Sequence, residues 1–520
     1  MGADPTTTRK RKTGASWLSR LSALRSRGDA INATVGEHAR GVAVGKNIVQ
    51  IGTLQFPAAP FFAALLLVVA GLGAWGWSRR GPSRMNENFN VAMAGFTQVD
   101  AAGRVTHWAE GDTLSRTAFQ TMGDQQPKFA EVFGADKVLM WHDSLGWTAK
   151  STRIGFVTGS DTAERERHAA DLAEQLNAHV LVYGTLDAQR RLTLRFHVSP
   201  ELQIPGSASS LAGYYELGAP IPMGVGAAAT GGPQLNERTA ALFWLVKGIQ
   251  YNAQGRFDLA LAILERAERE LPFWKGKGSG RELLGYFQGE SALFLANEAT
   301  TEEDLDAATA RAQAAFRESI ANNPDYVRPV VGLASVAFVR ADCLLRQNPC
   351  AAAPDAEIET LVRETQATYE RAVALGRRFP EQALSRDVAP LGLGMARGLE
   401  GTLHFVRHRD DEAERLFEQA IAEIEPVIPL LQEAGEYRLL ALAQNAQAET
   451  FARHGEIRRD RRDHAGAEAL FERALAAYRE CAAQTTTTPG DVFLADTLAP
   501  LCREREQAAA DELSKMRGTP

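Results

Sequence analysis

No short catalytic signature occurs in the chain. G-x-S-x-G, H-E-x-x-H, an EF-hand loop and a zinc-spaced cysteine–histidine cluster are all absent. Cysteine is scarce, four in 520 residues, and no pair stands as C-x-x-C, so redox and cysteine-metal chemistry have no starting point. Neighbouring residues supply no nucleophile, base and oxyanion stabiliser together. The chain is therefore expected to be no enzyme and to carry no cofactor or metal. Charge is missing locally as well: residues 47–78 contain no Asp, Glu, Lys or Arg.

That gap organises the chain. At about 1.5 Å per residue, positions 58–77 make a helix of roughly 30 Å, the thickness of bilayer hydrocarbon. Phe61 and Phe62 lie near one end and Trp75 and Trp77 at the other, where aromatic rings favour the interface, before Arg79, Arg80 and Arg84 stop the run. A buried core helix is the alternative, but such helices are shorter and amphipathic. A cleaved leader fits poorly, because 56 residues precede the run and no small-x-small site follows. Residues 57–77 are expected to form a transmembrane helix, making a single-pass protein.

The formal net charge of -7 conceals an asymmetry. Nine Lys/Arg against three Asp/Glu make residues 1–56 basic, so the remainder is acidic and unsuited to nucleic acid. The tail suits anionic lipid headgroups. Topology by charge is divided: the whole tail favours an N-terminus inside, whereas the nearest residues on either side of the span favour the reverse. The cysteines bear on it, forming two local pairs, Cys343 with Cys350 and Cys481 with Cys502. Disulfides there would add roughly 2.5 and 3.4 kcal/mol by loop closure and would need an oxidising compartment. Four buried thiols are the other reading. Disulfides put the large C-terminal part outside the cytoplasm.

Residues 1–56 read as a largely disordered basic tail, with Trp17, Leu18, Leu21 and Leu24 spaced for an interfacial helix over 15–27. Its end resembles the short glycine-and-valine element, closing on VGxNIVQIG, that precedes other modules in some bacterial signalling and conflict proteins. Two phosphate-loop lookalikes fail. Residues 41–47 are one short of the Walker spacing with Asn47 in the Mg²⁺-ligand place, and Gly71, Gly73 and Gly76 fall inside the apolar run.

Residues 86–222 alternate strand and helix patterns. Strands are expected at 89–96, 138–141, 151–158, 179–186 and 191–198, and helices at 111–122 and 161–177, giving a small α/β domain with a mixed sheet. The stretches FNVAMAGF, LAEQLNAHVLVYGTLD and RLTLRFHVSP resemble the N-terminal domain of TolB and its bacterial envelope relatives. That resemblance implies protein binding rather than catalysis. The sequence departs from it around 128–150, where Trp141, His142, Asp143 and Trp147 crowd together as a candidate ligand pocket; a solvated turn with aromatic packing is the plainer account.

A Gly/Ala linker (223–235) leads to residues 236–516. There Trp244, Gly248, Tyr251, Ala260, Leu264, Ala267 and Pro272 stand at tetratricopeptide (TPR) offsets. Gly401, Ala413, Phe417 and Ala420 repeat the spacing, and three looser echoes bring the count to about five helical hairpins, closed by a polar capping helix. The expected whole is multidomain: transmembrane helix, α/β domain, all-α TPR-like solenoid. Groove-facing candidates are Ile249, Asn252, Thr402 and Phe405. Leu245 and Gly398 stand where a basic carboxylate clamp would be, against capture of an acidic C-terminal tail. His408-Arg409-Asp410 mimics a kinase tripeptide inside a charged turn and is set aside.

These readings converge on a membrane-anchored scaffold that recruits a protein partner through its groove and α/β domain, its large part in the bacterial envelope, with lipid contacted by residues 57–77 and the tail. Two other functions compete: a transducer relaying capture to the basic tail, and an envelope enzyme with an unrecognised site. Partner and oligomeric state lie beyond the sequence.

Overall fold

The computed structural model describes residues 84–100, 102–134, 138–145, 153–200, 202, 211–224, 232–276, 278–347, 349–351, 353–379, 383–487 and 494–518, with backbone alone at 42–44, 48–51, 54–57, 383–387 and 485. Two compact units result, Met1–Gly81 and Pro82–Pro520. In the first, β1 (Val42–Val44), β2 (Ile48–Ile51) and β3 (Leu54–Pro57) form an antiparallel meander in that order. These strands fall at the end of the stretch read as a largely disordered tail; residues 1–41 lie outside the described residues. β-branched residues at Val42, Val44, Ile48, Val49 and Ile51 favour extended pairing. Pro57 ends an edge strand instead of opening a helix, a place where its missing N–H costs no inner ladder bond. The rest of the expected transmembrane helix, 58–77, and the interfacial helix at 15–27 lie outside the described residues. Among the described residues no helix is long and apolar enough to cross a membrane.

The second unit begins with a mixed sheet. β8 (Val180–Leu186) is its centre, parallel to β4 (Asn90–Met93) and β5 (Thr97–Val99) on one side and antiparallel to β9 (Arg191–Val198) on the other. β7 (Leu139–His142) extends it parallel to β4, β10 (Gly213–Glu216) and β11 (Ile221–Pro222) pair with β9, and β6 (Val105–His107) pairs with β5. Side chains divide with period two. Val91, Met93, Val180 and Val182 enter one core; Ala92, Ala94, Leu181 and Tyr183 enter another beneath a helix.

Helix α1 (Ala109–Phe133) runs well past the expected 111–122. Leu114, Ala118, Met122, Gln125 and Phe129 continue one buried stripe through Pro127, a residue that reads as a stop. Helix α2 (Thr162–Leu176) is capped by Asp161, whose carboxylate accepts from Glu164 N at 2.8 Å, and ends on left-handed Asn177. The strand expected at 151–158 is reduced to one bridge, Gly95 with Phe156. Asp143 takes the amides of Ile154 (2.7 Å) and Gly155 (3.0 Å), and Gly155 sits at φ 78°, so the ladder has no donors there.

Five antiparallel helical hairpins follow: α3 (Gly232–Ala253) with α4 (Phe257–Glu270), α5 (Arg281–Glu298) with α6 (Glu302–Asn322), α7 (Val327–Arg346) with α8 (Asp355–Arg378), α9 (Ala383–Val406) with α10 (Asp410–Ile424), and α12 (Tyr437–Asp460) with α13 (His464–Thr487). Short α11 (Val427–Glu433) joins the last two, and α14 (Ala499–Gly518) packs on α13. One contact recurs at four of the five crossings. A methyl group added at Gly248 would lie 2.7 Å from Leu264, at Gly289 2.5 Å from Phe316, at Gly401 2.6 Å from Phe417 and at Gly455 3.2 Å from Phe471. The third hairpin substitutes a polar pair, Ser335 Oγ and Tyr369 OH at 3.0 Å. Close backbone approach, enforced by a small residue under a large one, is what makes these hairpins.

The α/β part and the first hairpins share one core. Phe129 and Phe133 of α1 meet Trp244 of α3 with centroids 5.6 and 6.2 Å apart, and buried Lys247 places its ammonium 4.3 Å above the Phe129 ring. Phe196 and Tyr215 of β9 and β10 meet Phe287 of α5 at 6.5 and 5.2 Å.

Candidate binding groove

The packing residue of each hairpin gives a ruler. Positions six and three before it, and one and four after it, fall on one face of the first helix. In α3 these are Leu242, Leu245, Ile249 and Asn252, none with any exposure; in α5 they are Leu283, Tyr286, Glu290 and Leu293, all buried. On α7 Arg328, seven residues before Ser335, donates to Tyr215 OH at 2.7 Å and lies 4.8 Å from that ring. The chain's own α/β part thus packs against the early hairpins.

The late hairpins differ. Met395, Gly398 and Thr402 of α9 line a cavity of ≈ 340 Å³, and Glu449, Ala452, Glu456 and Arg459 of α12 contribute to a neighbouring one of ≈ 320 Å³. The two share Arg346, Glu449 and Arg505, so they form a single groove walled by α7, α9, α12 and α14. Phe338, Met395 and Leu399 make its apolar floor.

Its centre is an ion-pair bridge. Glu449 accepts from Arg346 Nη2 at 3.0 Å through one oxygen and from Arg505 Nη1 at 2.7 Å through the other. Arg346 Nε also donates to Asp342 at 2.7 Å, and Arg505 to Asn445 at 3.2 Å. Burial works to raise the Glu449 carboxyl, but Arg505 and Arg346 outweigh it and hold it below the usual carboxylate range. Asp342 goes the other way, raised by burial that Arg346 only partly offsets. Every groove arginine has an acidic partner: Arg453 meets Glu456 at 3.0 Å and Arg459 meets Glu512. The surface therefore combines apolar floor with paired charge and suits a peptide of mixed character more than an anion.

The sequence-derived candidates scatter. Ile249 and Asn252 are core residues, a correction to their groove assignment: Asn252 Nδ2 donates to Ser291 Oγ at 2.9 Å between the first two hairpins. The offsets were sound, but the early face is covered by the chain itself. Thr402 lines the groove with its hydroxyl donating to Gly398 O at 2.9 Å, and Phe405 packs against Ala413, Phe417 and Ile457 instead of lining it.

Three of the four proposed pocket residues make local contacts. His142 Nδ1 accepts from Ser144 N at 3.0 Å, so its Nε2–H donates to Ser115 Oγ at 3.0 Å, and Phe119 stacks on the ring at 5.3 Å. Asp143 holds the 154–155 backbone, and Trp141 packs beside the second core. His142 and Asp143 thus brace the local backbone, and Trp147 lies outside the described residues. Glu414, Glu418 and His454 come close enough to share a metal, yet Glu414 is bonded to His454 Nε2 (3.0 Å), Arg458 and Arg461 (2.8 Å). That carboxylate ties α10 to α12 and is spent. Cys343–Cys350 and Cys481–Cys502 are both disulfide-bonded. Glu449, Arg346 and Arg505 were missed: in sequence they read as solvated helix charges, and only the offset from Gly455 singles out Glu449.

The fold and groove define a class, an α/β unit built into a five-hairpin helical repeat whose late half stays open. No family model matches the chain, and no curated protein does. Among solved structures it is similar to a thermophilic TPR protein from Thermus thermophilus, at 18% identity over 52% of this chain and 98% of that one, with a TM-score of 0.29. A score that low says nothing of function, and the assignment to helical-hairpin repeats rests on the close glycine crossings above.

Proposed function

We propose that the chain is a non-catalytic, membrane-anchored scaffold that holds a peptide segment of a protein partner in the open late groove. One observation carries this reading: equivalent positions that are covered in α3 and α5 open onto cavities in α9 and α12. Anchoring at 57–77 would confine the groove near a bilayer and raise the local concentration of its partners. The two disulfides favour an oxidising compartment for the large part, in keeping with a bacterial envelope.

Capture from envelope extract by the full chain in detergent, compared with Met395→Glu and Ala452→Glu, tests it. The same defined partner should be lost from both variants while their unfolding curves stay close to the parent's. Equal capture by all three would overturn the groove reading. Reporter fusions at Pro520, with thiol counting on protein kept oxidised, test the compartment; four free thiols would remove it.

A further inference from the structure

The two disulfides stand in the same relation to the groove. Cys343 precedes Arg346 by three residues on α7, and Cys502 precedes Arg505 by three on α14. Each staple therefore fixes its helix one turn from an arginine, and the two arginines reach Glu449 from opposite walls, one on each carboxylate oxygen.

The two walls differ in what else holds them: α7 buries ten residues between Val327 and Leu344, whereas α14 is held more lightly. α14 buries only Ala499, Cys502, Ala509 and Leu513, small side chains for twenty residues. Leu501, Ala510 and Met516 pack partly buried against the same core, and beyond the groove pairs Arg505–Glu449 and Arg459–Glu512 its links, Arg479 with Glu506 and Arg517 with Glu468 and Glu472, are exposed ion pairs of the kind that add little. At the opposite wall α7 ends on left-handed Gln347, and Cys350 N donates to Cys343 Sγ at 3.2 Å, closing the connector against the helix end. The Cys481–Cys502 bond is thus the main covalent hold on the helix that supplies Arg505 and Glu512 to the groove.

We propose that the late groove is assembled only in the oxidised protein: the disulfides position Arg346 and Arg505 on Glu449, and reduction releases α14 and opens the bridge. A dithiol supplies two electrons and two protons per disulfide, yielding two thiols and its own cyclic disulfide. The consequence for partner capture rests on the function proposed above; the opening itself does not.

The test is amide hydrogen exchange on the full chain in detergent, with and without dithiothreitol, thiols counted in parallel. Reduction should speed exchange over 499–518 by about tenfold or more, with a smaller rise at 445–459. A double variant, Cys481→Ser with Cys502→Ser, should do the same without reductant. Oxidised Arg505→Ala should loosen 445–459 and leave 499–518 protected, separating the bridge from the staple. Unchanged exchange in fully reduced protein overturns the proposal, as does capture that falls on reduction while exchange stays fixed. Exchange that rises while partner capture is unaffected supports the opening and instead overturns the groove as the binding surface.

Discussion

His197 shows what a single buried residue does to the stability of the sheet. It lies in β9 with its ring centroid 4.6 Å from that of Tyr214, and burial pushes its pKa down to about 4 from 6.5. The unfolded chain takes up this proton below about pH 6.5, the folded one only near pH 4. The contribution is complete above 6.5 and lost as pH falls toward 4, amounting to about 3 kcal/mol. Urea midpoints near pH 7.5 and near pH 4.5 read the loss. His197→Phe keeps the stacking without the proton, so its drop between the two should be smaller than the parent's. Glycines offer a second contrast. Gly289→Ala would drive a methyl into Phe316, itself held from the far side by Gly332, and should cost about 1–3 kcal/mol. Gly123→Ala on α1 meets nothing within 4 Å and should stabilise by about 0.5–1 kcal/mol in the same thermal melts.

Caps and staples act on whole elements. Asp161→Ala leaves the Glu164 amide at the start of α2 without its acceptor, which should cost about 1 kcal/mol and lower the thermal midpoint. Removing the Cys481–Cys502 bond should cost about 3 kcal/mol by loop closure, readable as a shift in denaturant midpoint between the double variant and the oxidised parent. Legibility at this scale followed local chemistry. The helix pattern at 161–177, the paired strand patterns at 179–186 and 191–198 and the TPR spacing around Gly248 and Gly401 are short-range signals, and each falls on the feature it implied. The second half of α1 did not show, because Pro127 counts as a breaker in sequence, while in the fold the Phe129 stripe keeps the helix intact. β10 and β11 went unnoticed as well, being four and two residues long and dependent on β9 for all their pairing.

In the whole molecule the shared core decides most. Phe129, Phe196 and Tyr215 from the α/β part pack against Trp244 and Phe287 from the hairpins, so a cut near residue 232 would expose both sides. Expressed alone, residues 232–518 should aggregate or lose near-ultraviolet circular dichroism; a sharp cooperative melt would contradict the common core. Composition and spacing by themselves determined the apolar run at 57–77, the alternation of strand and helix and the repeat itself, because each depends on residues a few positions apart. They also paired the cysteines correctly, since each pair is local. The open part of the groove was left to the tertiary structure. Ile249 and Thr402 occupy the same offset from their packing glycines, yet one lies fully buried in the core that the early hairpins share with the α/β part and the other lines a cavity. Burial of a position depends on what packs against it from far along the chain, and no local pattern records that.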